Sequence, residues 1–218
     1  MKKILIIIAA LIACAPYLLA TESHLSSGEY FITQSWSQET SYNRPYFVNV
    51  ATDNDEAKLP VLIYLHGNGG NAEQSLRGFL RRHPAIASRY LLVFPQGYLK
   101  SWNIVSERSK ANDRAFIEAI VEEVCTHVNA EKGTITIMGV SNGAALVNQL
   151  AIESDLPNVR NYITAVSPLN VFQHDGSNFK AKGDHNNYLK SITPSPGKRI
   201  LNVSGTEDRL VPYAGGPS

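Results

Sequence analysis

Cysteine is almost missing from this chain, and the shortage decides how it can hold together. Its 218 residues contain two, Cys14 and Cys125. Only Cys125 survives if the apolar leader is removed, so no internal disulfide is available and stability has to come from a buried core. Cys125 lies in a helical pattern with nothing nearby to activate a thiol, and it reads as a small core residue. An excess of charge of one sign is missing too: 20 Lys and Arg against 19 Asp and Glu give a formal net charge of +1. With no basic block, nucleic acid is not the expected partner. The scattered Lys180, Lys182, Lys190, Lys198 and Arg199 read as a solvated face. Internal repeats, heptads and low-complexity tracts are absent. No His, Cys or carboxylate cluster has ligand spacing, so neither a metal nor a cofactor is expected. What the chain does have is 44% hydrophobic residues over a length that suits one globular domain.

Met1-Lys2-Lys3 followed by the apolar Ile4 to Ala13 has the form of a signal peptide, too short for a comfortable membrane span. Export is the expectation, with residues 1–20 as the signal, cleavage between Ala20 and Thr21, and residues 21–218 as the folded domain. A second reading stays open: Leu11-Ile12-Ala13-Cys14 is similar to a bacterial lipobox, which would anchor the chain to a membrane through a lipid on Cys14. The apolar Tyr17-Leu18-Leu19 speaks against it, because a tethering segment is usually polar.

Hydrophobic periodicity gives the order of elements. Glu29 to Gln34 and Tyr46 to Val50 alternate as paired antiparallel strands, with a polar connection from Asp53 to Lys58. Leu59 to Leu65 is a continuous apolar run suited to a strand buried on both faces. Ala72 to Arg82 and Arg114 to Val128 have helical spacing, and Asp113 provides an acid or cap at the start of the second. Tyr90 to Phe94, Thr134 to Met138, Asn161 to Val166 and Arg199 to Val203 are further strands, and Gln173 to Asn187 is a polar surface excursion. Strands alternating with helices predict an α/β fold with a mostly parallel sheet covered on both faces.

The most informative stretch is Gly139-Val140-Ser141-Asn142-Gly143, a G-x-S-x-G sequence between the strand at Thr134 to Met138 and a helical pattern over Ala144 to Leu150. A strand that turns abruptly into a helix forces its serine into a strained backbone conformation, and only small residues two places away on either side avoid a clash. The hydroxyl is then lifted clear of the sheet while the N–H groups of the next helix face it. Those are the needs of an acyl-enzyme mechanism, with Ser141 as nucleophile. His66-Gly67-Asn68-Gly69-Gly70-Asn71, straight after the first buried strand, has neither Gly-Lys-Ser/Thr nor G-x-G-x-x-G spacing for phosphate. It reads as an oxyanion loop, or as a plain tight turn. Trp102-Asn103, on a loop leaving a strand end, reads either as a wall of a substrate pocket or as a core anchor.

A serine needs a base, and the base needs an orienting acid. Asp208, in Ser204-Gly205-Thr206-Glu207-Asp208, leaves a strand end after the elbow and fits the acid; Asp175 and then Asp184 are the runners-up. No histidine follows Asp208: the six are His24, His66, His83, His127, His174 and His185. Three explanations stand side by side. The sequence stops short of its last strand and histidine loop, His174 or His185 serves as base, or the protein is a non-catalytic relative that binds an ester-bearing ligand.

With these pieces in hand the chain resembles the α/β-hydrolases of the secreted polyhydroxyalkanoate depolymerase and feruloyl esterase group. The resemblance rests on Leu65-His66-Gly67-Asn68-Gly69-Gly70, Pro95-Gln96-Gly97 with Trp102-Asn103, the Ser-Asn-Gly of the elbow, and Gly205-Thr206-Glu207-Asp208 with Val211-Pro212-Tyr213-Ala214-Gly215-Gly216. It implies an α/β-hydrolase fold, here incomplete at its carboxyl end, and a serine esterase acting on carboxylic esters of extracellular polyesters or plant-wall phenolics. It further implies Ser141 as nucleophile, Asp208 as acid, and the backbone N–H of Asn142 with one near Asn68 as the oxyanion hole. Gln96 stands where the group usually has an acid, and Ala144-Ala145 replaces a glycine-methionine-rich start to the elbow helix.

Overall fold

The computed structural model describes residues 23–51, 58–180 and 194–213. The chain opens with an antiparallel hairpin, β1 (Gly28–Trp36) and β2 (Glu39–Asn49). It continues through β3 (Val61–Leu65), α1 (Ala72–Arg82), the short α2 (Pro84–Ala87), β4 (Leu91–Pro95), α3 (Asp113–Val124), β5 (Ile135–Val140), α4 (Asn142–Glu153), β6 (Val159–Ala165) and β7 (Arg199–Val203). The strands form one seven-stranded sheet in the order β1-β2-β4-β3-β5-β6-β7. β2 pairs antiparallel with β4, and every neighbour pair from β4 to β7 is parallel. The expected polar connection over Asp53 to Lys58 lies, except for Lys58, outside the described residues.

The parallel strands in the middle are apolar throughout because both their faces are covered. Along β4, Leu91 and Val93 point into one core with α3 and α4, while Leu92 and Phe94 point into the other with α1. β3 divides in the same way, Ile63 and Leu65 against Leu62. α1 starts at Asn71, whose side chain accepts the Gln74 N–H at 2.9 Å, and α3 starts at Asn112, which accepts from Ala115 at 3.1 Å. Each cap satisfies a donor that has no carbonyl one turn earlier.

Three expectations change. β2 begins at Glu39, well before Tyr46, because its first residues are largely exposed and show no alternation that periodicity could detect. α3 stops at Val124 rather than Val128. Thr126 Oγ1 donates back to the Glu123 carbonyl at 2.7 Å, and the Asn129 side chain bonds both the N–H and the C=O of Leu25, each at 2.9 Å. The residues after the helix are therefore used to pin the start of the described chain. Cys125 caps α3, half-buried, with burial pushing its thiol pKa up. The segment after β6 is not wholly a surface excursion, since Gln173, Asn178 and Phe179 are buried.

β7 lies at the sheet edge with every residue exposed, Ile200 and Leu201 both at 55%. Beside it, the face of β3, β5 and β6 next to α1 forms an apolar groove of about 500 Å³, lined by Leu62, Phe79, Met138 and Ile163 among others.

A buried ion pair joins the hairpin to α3. Arg44 on β2 is fully buried, and its Nη2 lies 2.5 Å from Asp113 Oδ1 at the start of α3. Its guanidinium lies 3.8 Å from the centroid of the Phe116 ring. The other Asp113 oxygen accepts the Asn103 N–H at 2.6 Å. Burial pulls the Arg44 pKa down, and the attraction of Asp113 opposes that shift. Removing one member of such a pair strands the other in a medium that cannot solvate it. Asp113→Ala is expected to cost about 3–5 kcal/mol, read from urea unfolding, and replacing both members with apolar residues of similar volume should cost less than the single change.

Candidate active site

Ser141 occupies the bend between β5 and α4 with φ 54 and ψ −123. That conformation is uncommon for any residue with a Cβ and persists only where the surroundings enforce it. They do so through two glycines. A Cβ on Gly143 would stand 2.3 Å from the Leu65 carbonyl oxygen and 2.5 Å from that of His66, and one on Gly139 would stand 2.3 Å from the Gly143 carbonyl oxygen. The elbow is thus pressed onto the end of β3. Although Ser141 is at the N-cap of α4, its side chain makes no capping hydrogen bond. The hydroxyl borders a cavity of about 450 Å³.

The loop after β3 runs alongside. Gly67 is so close that a Cβ on it would lie 3.5 Å from Ser141 Cβ. The Gly69 N–H is committed to the Lys100 carbonyl at 2.7 Å and the Gly70 N–H to the Gly67 carbonyl at 3.0 Å. The donors this loop can turn toward the serine are therefore those of Gly67 and Asn68. Lys100 offers its carbonyl from a left-handed conformation, φ 62, directly after Leu99 at φ 52.

His66 is a structural member of this loop. Its Nε2 accepts the Gly97 N–H at 3.0 Å, so the ring proton is on Nδ1, which donates to the Gly67 carbonyl at 2.7 Å. Burial holds the His66 pKa below its ordinary 6.5. Gln96 binds the same assembly together, accepting the Ala72 N–H at 2.8 Å and donating to the Gly97 carbonyl at 3.0 Å.

Trp102 and Asn103 are anchors rather than pocket walls, at 0% and 2% exposure. Trp102 Nε1 donates to the His66 carbonyl at 2.7 Å, and its backbone is bonded on both sides by the Asn142 amide. The wall on that side comes from the next residues, Ile104 to Glu107. Asn170, Phe172 and Gln173 also line the cavity. These residues lie in irregular segments without period or motif, so the sequence carries no signal of them. Val166, β-branched and at φ 54, turns the chain after β6 so that Ser167 reaches the same cavity, where Gln173 Nε2 donates to Ser167 Oγ at 2.9 Å.

Asp208 belongs to the loop after β7. Its Oδ1 accepts the N–H groups of Leu210 at 2.8 Å and Val211 at 2.9 Å, and both of those residues border the cavity with Ser141. The Val211 and Leu210 donors hold its carboxyl below the ordinary carboxylate range. Asp175 instead caps its own turn, accepting from Ser177 and Asn178, each at 2.8 Å. His174 accepts the Gly176 N–H at 3.1 Å and packs its ring on Phe179. Asp184 and His185 lie outside the described residues. Among the described residues no histidine lines the cavity.

Two outcomes are expected. Gly143→Ala should cost about 2–3 kcal/mol or prevent folding, because backbone carbonyls rather than a flexible side chain occupy the added methyl's place; a thermal or urea transition reads the loss. The His66 shift has a defined sign. The unfolded chain takes up the proton near the ordinary 6.5 while the folded chain does not, so stability falls as pH drops from 6.5 toward the lower folded value. His66→Gln should make the urea midpoint less dependent on pH between about pH 7 and 5.

No protein-family model matches the chain. Solved structures do resemble it. A thermostable esterase superposes with a TM-score of 0.59 at 18% identity over 87% of this chain, which spans 49% of that protein's length. An α/β serine hydrolase without lid from Xanthomonas campestris gives 0.55 at 12% identity, over 88% of this chain and 77% of its own. A carboxylesterase from Bacillus cereus gives 0.51 at 17% identity, over 78% and 74%. At such identities the likeness speaks for architecture, and it agrees with the strand order and the elbow: the chain has the α/β-hydrolase fold.

Proposed function

We propose that this chain is an exported serine esterase that cleaves carboxylic esters through an acyl-enzyme. The observation that carries the reading is Ser141 at φ 54, its hydroxyl unspent on capping, between the start of α4 and the loop at Gly67. In the proposed reaction Ser141 Oγ adds to the ester carbonyl. The N–H of Asn142 and that of Asn68 receive the developing oxyanion. The alcohol leaves, and water then frees the acid from the serine. Asp208 is the acid that orients the catalytic base, which takes the serine proton and passes it to the leaving alcohol. The cavity lining is mixed, with Ile104, Val105, Ala145, Phe172, Leu210 and Val211 beside Ser106, Glu107, Ser167, Asn170 and Gln173, which suits an uncharged acyl group of modest size that also carries polar atoms, including a unit of a polyester or a wall phenolic.

A second reading has its own support, since no described histidine borders the cavity. In that reading the chain binds an ester and does not turn it over. One experiment separates the two. Under the esterase reading a fluorophosphonate labels Ser141, Ser141→Ala abolishes the labelling, and added imidazole speeds p-nitrophenyl butyrate hydrolysis wherever the base is lacking. Absence of both labelling and imidazole-dependent turnover would leave binding alone. With the base in place, Asp208→Asn should lower kcat on the order of 10³–10⁴-fold while leaving labelling detectable.

A further inference from the structure

We infer that Glu107 is a positioning residue for the oxyanion side of this centre, acting through Asn142. The inference rests on the reading of Ser141 as nucleophile. Glu107 supplies the only charged side chain among the described residues that line the cavity, and its two oxygens are spent in different directions. Oε1 accepts from Asn142 Nδ2 at 2.8 Å. Oε2 accepts the backbone N–H groups of Ile104 at 3.0 Å and Val105 at 2.7 Å.

The Asn142 amide has no freedom to turn over. Its Oδ1 accepts the Trp102 N–H at 2.7 Å, so Nδ2 must face the Trp102 carbonyl, at 3.0 Å, and the Glu107 carboxylate. Every group that meets Glu107 in these contacts is therefore a donor. Only a carboxylate accepts at both of its ends, and a glutamine would turn an NH₂ toward one set of donors. Position 107 thus requires the charge, not just the length.

What the charge holds in place is the residue whose backbone N–H is assigned to the oxyanion. Asn142 follows Ser141 directly and opens α4. Through Trp102, whose Nε1 donates to the His66 carbonyl at 2.7 Å, the same tether reaches the loop that carries the second donor. An oxyanion donor works only within a few tenths of an ångström of its proper distance. A network that fixes both donor segments against one carboxylate supplies that precision.

The experiment uses the purified full chain and the second-order rate of fluorophosphonate labelling at Ser141, with the urea midpoint measured on every sample. Glu107→Gln preserves size and packing; Glu107→Ala, Asn142→Ala and the double variant Glu107→Ala with Asn142→Ala complete the set. Glu107→Gln and Glu107→Ala should label about 10- to 100-fold more slowly. The double variant should be no slower than Asn142→Ala, because the two residues act as one unit. Wild-type labelling rates in the Glu107 variants, with or without a lower urea midpoint, would make Glu107 a loop staple and overturn the inference. Losses that multiply in the double variant would overturn it as well. If wild type is not labelled, or Ser141→Ala is labelled equally, the reading of Ser141 has failed first and this inference falls with it.

Discussion

Backbone pressed against backbone holds the candidate centre in shape. Gly143 of the elbow helix is so close to the carbonyl oxygens of Leu65 and His66 that no side chain fits between them, and Gly139 meets Gly143 just as closely. The helix therefore starts directly against the end of β3. That contact is what allows a serine to persist at φ 54, a conformation the chain would leave if α4 could move outward. Proximity of Gly67 to Ser141 follows from the same packing, because the loop after β3 has to leave past the elbow.

Around this contact the irregular loops are held by side chains that act as acceptors for backbone N–H groups. Asp113 takes that of Asn103, Glu107 those of Ile104 and Val105, Gln96 that of Ala72, and His66 that of Gly97. A loop beside a cavity cannot satisfy its donors in a ladder, so each buried N–H needs a partner sent from elsewhere. Carboxylates suit the task, since an ionised acceptor makes the stronger bond. Arg44, reaching in from β2, then offsets part of the charge at Asp113.

The two edges of the sheet differ. On one, the β1–β2 hairpin curls over the start of α3 and is tied down by the buried ion pair. On the other, β7 presents apolar side chains next to a groove that nothing among the described residues covers. Exposed strands and grooves of this kind carry a tendency to pair. The loop carrying Asp208 hangs from that less covered edge, so its approach to Ser141 depends on how firmly β7 is held.

Much of the fold could be read from the chain alone, and the reason is period. α1 over Ala72–Arg82 matches the residues expected of it, because apolar spacing records directly which face is covered; β7 over Arg199–Val203 matches too, through its short β-branched and apolar run, although all its residues are exposed. The bend at Ser141 was legible for a different reason: a steric requirement for glycine leaves a mark in sequence. β2 before Tyr46 was not legible, since an exposed hairpin arm carries no alternation. Nor was the end of α3, where tertiary hydrogen bonds to Leu25 overrode a helical pattern.

Only the tertiary structure decided between wall and anchor for Trp102 and Asn103, and only it revealed Glu107. A polar side chain's work depends on which donors are brought to it across the fold. Local sequence therefore determined the strand-helix order and the strained serine, whose causes lie within a few residues. The lining of the cavity and the wiring behind it were settled by packing, where segments as distant as Asn142 and Glu107 meet.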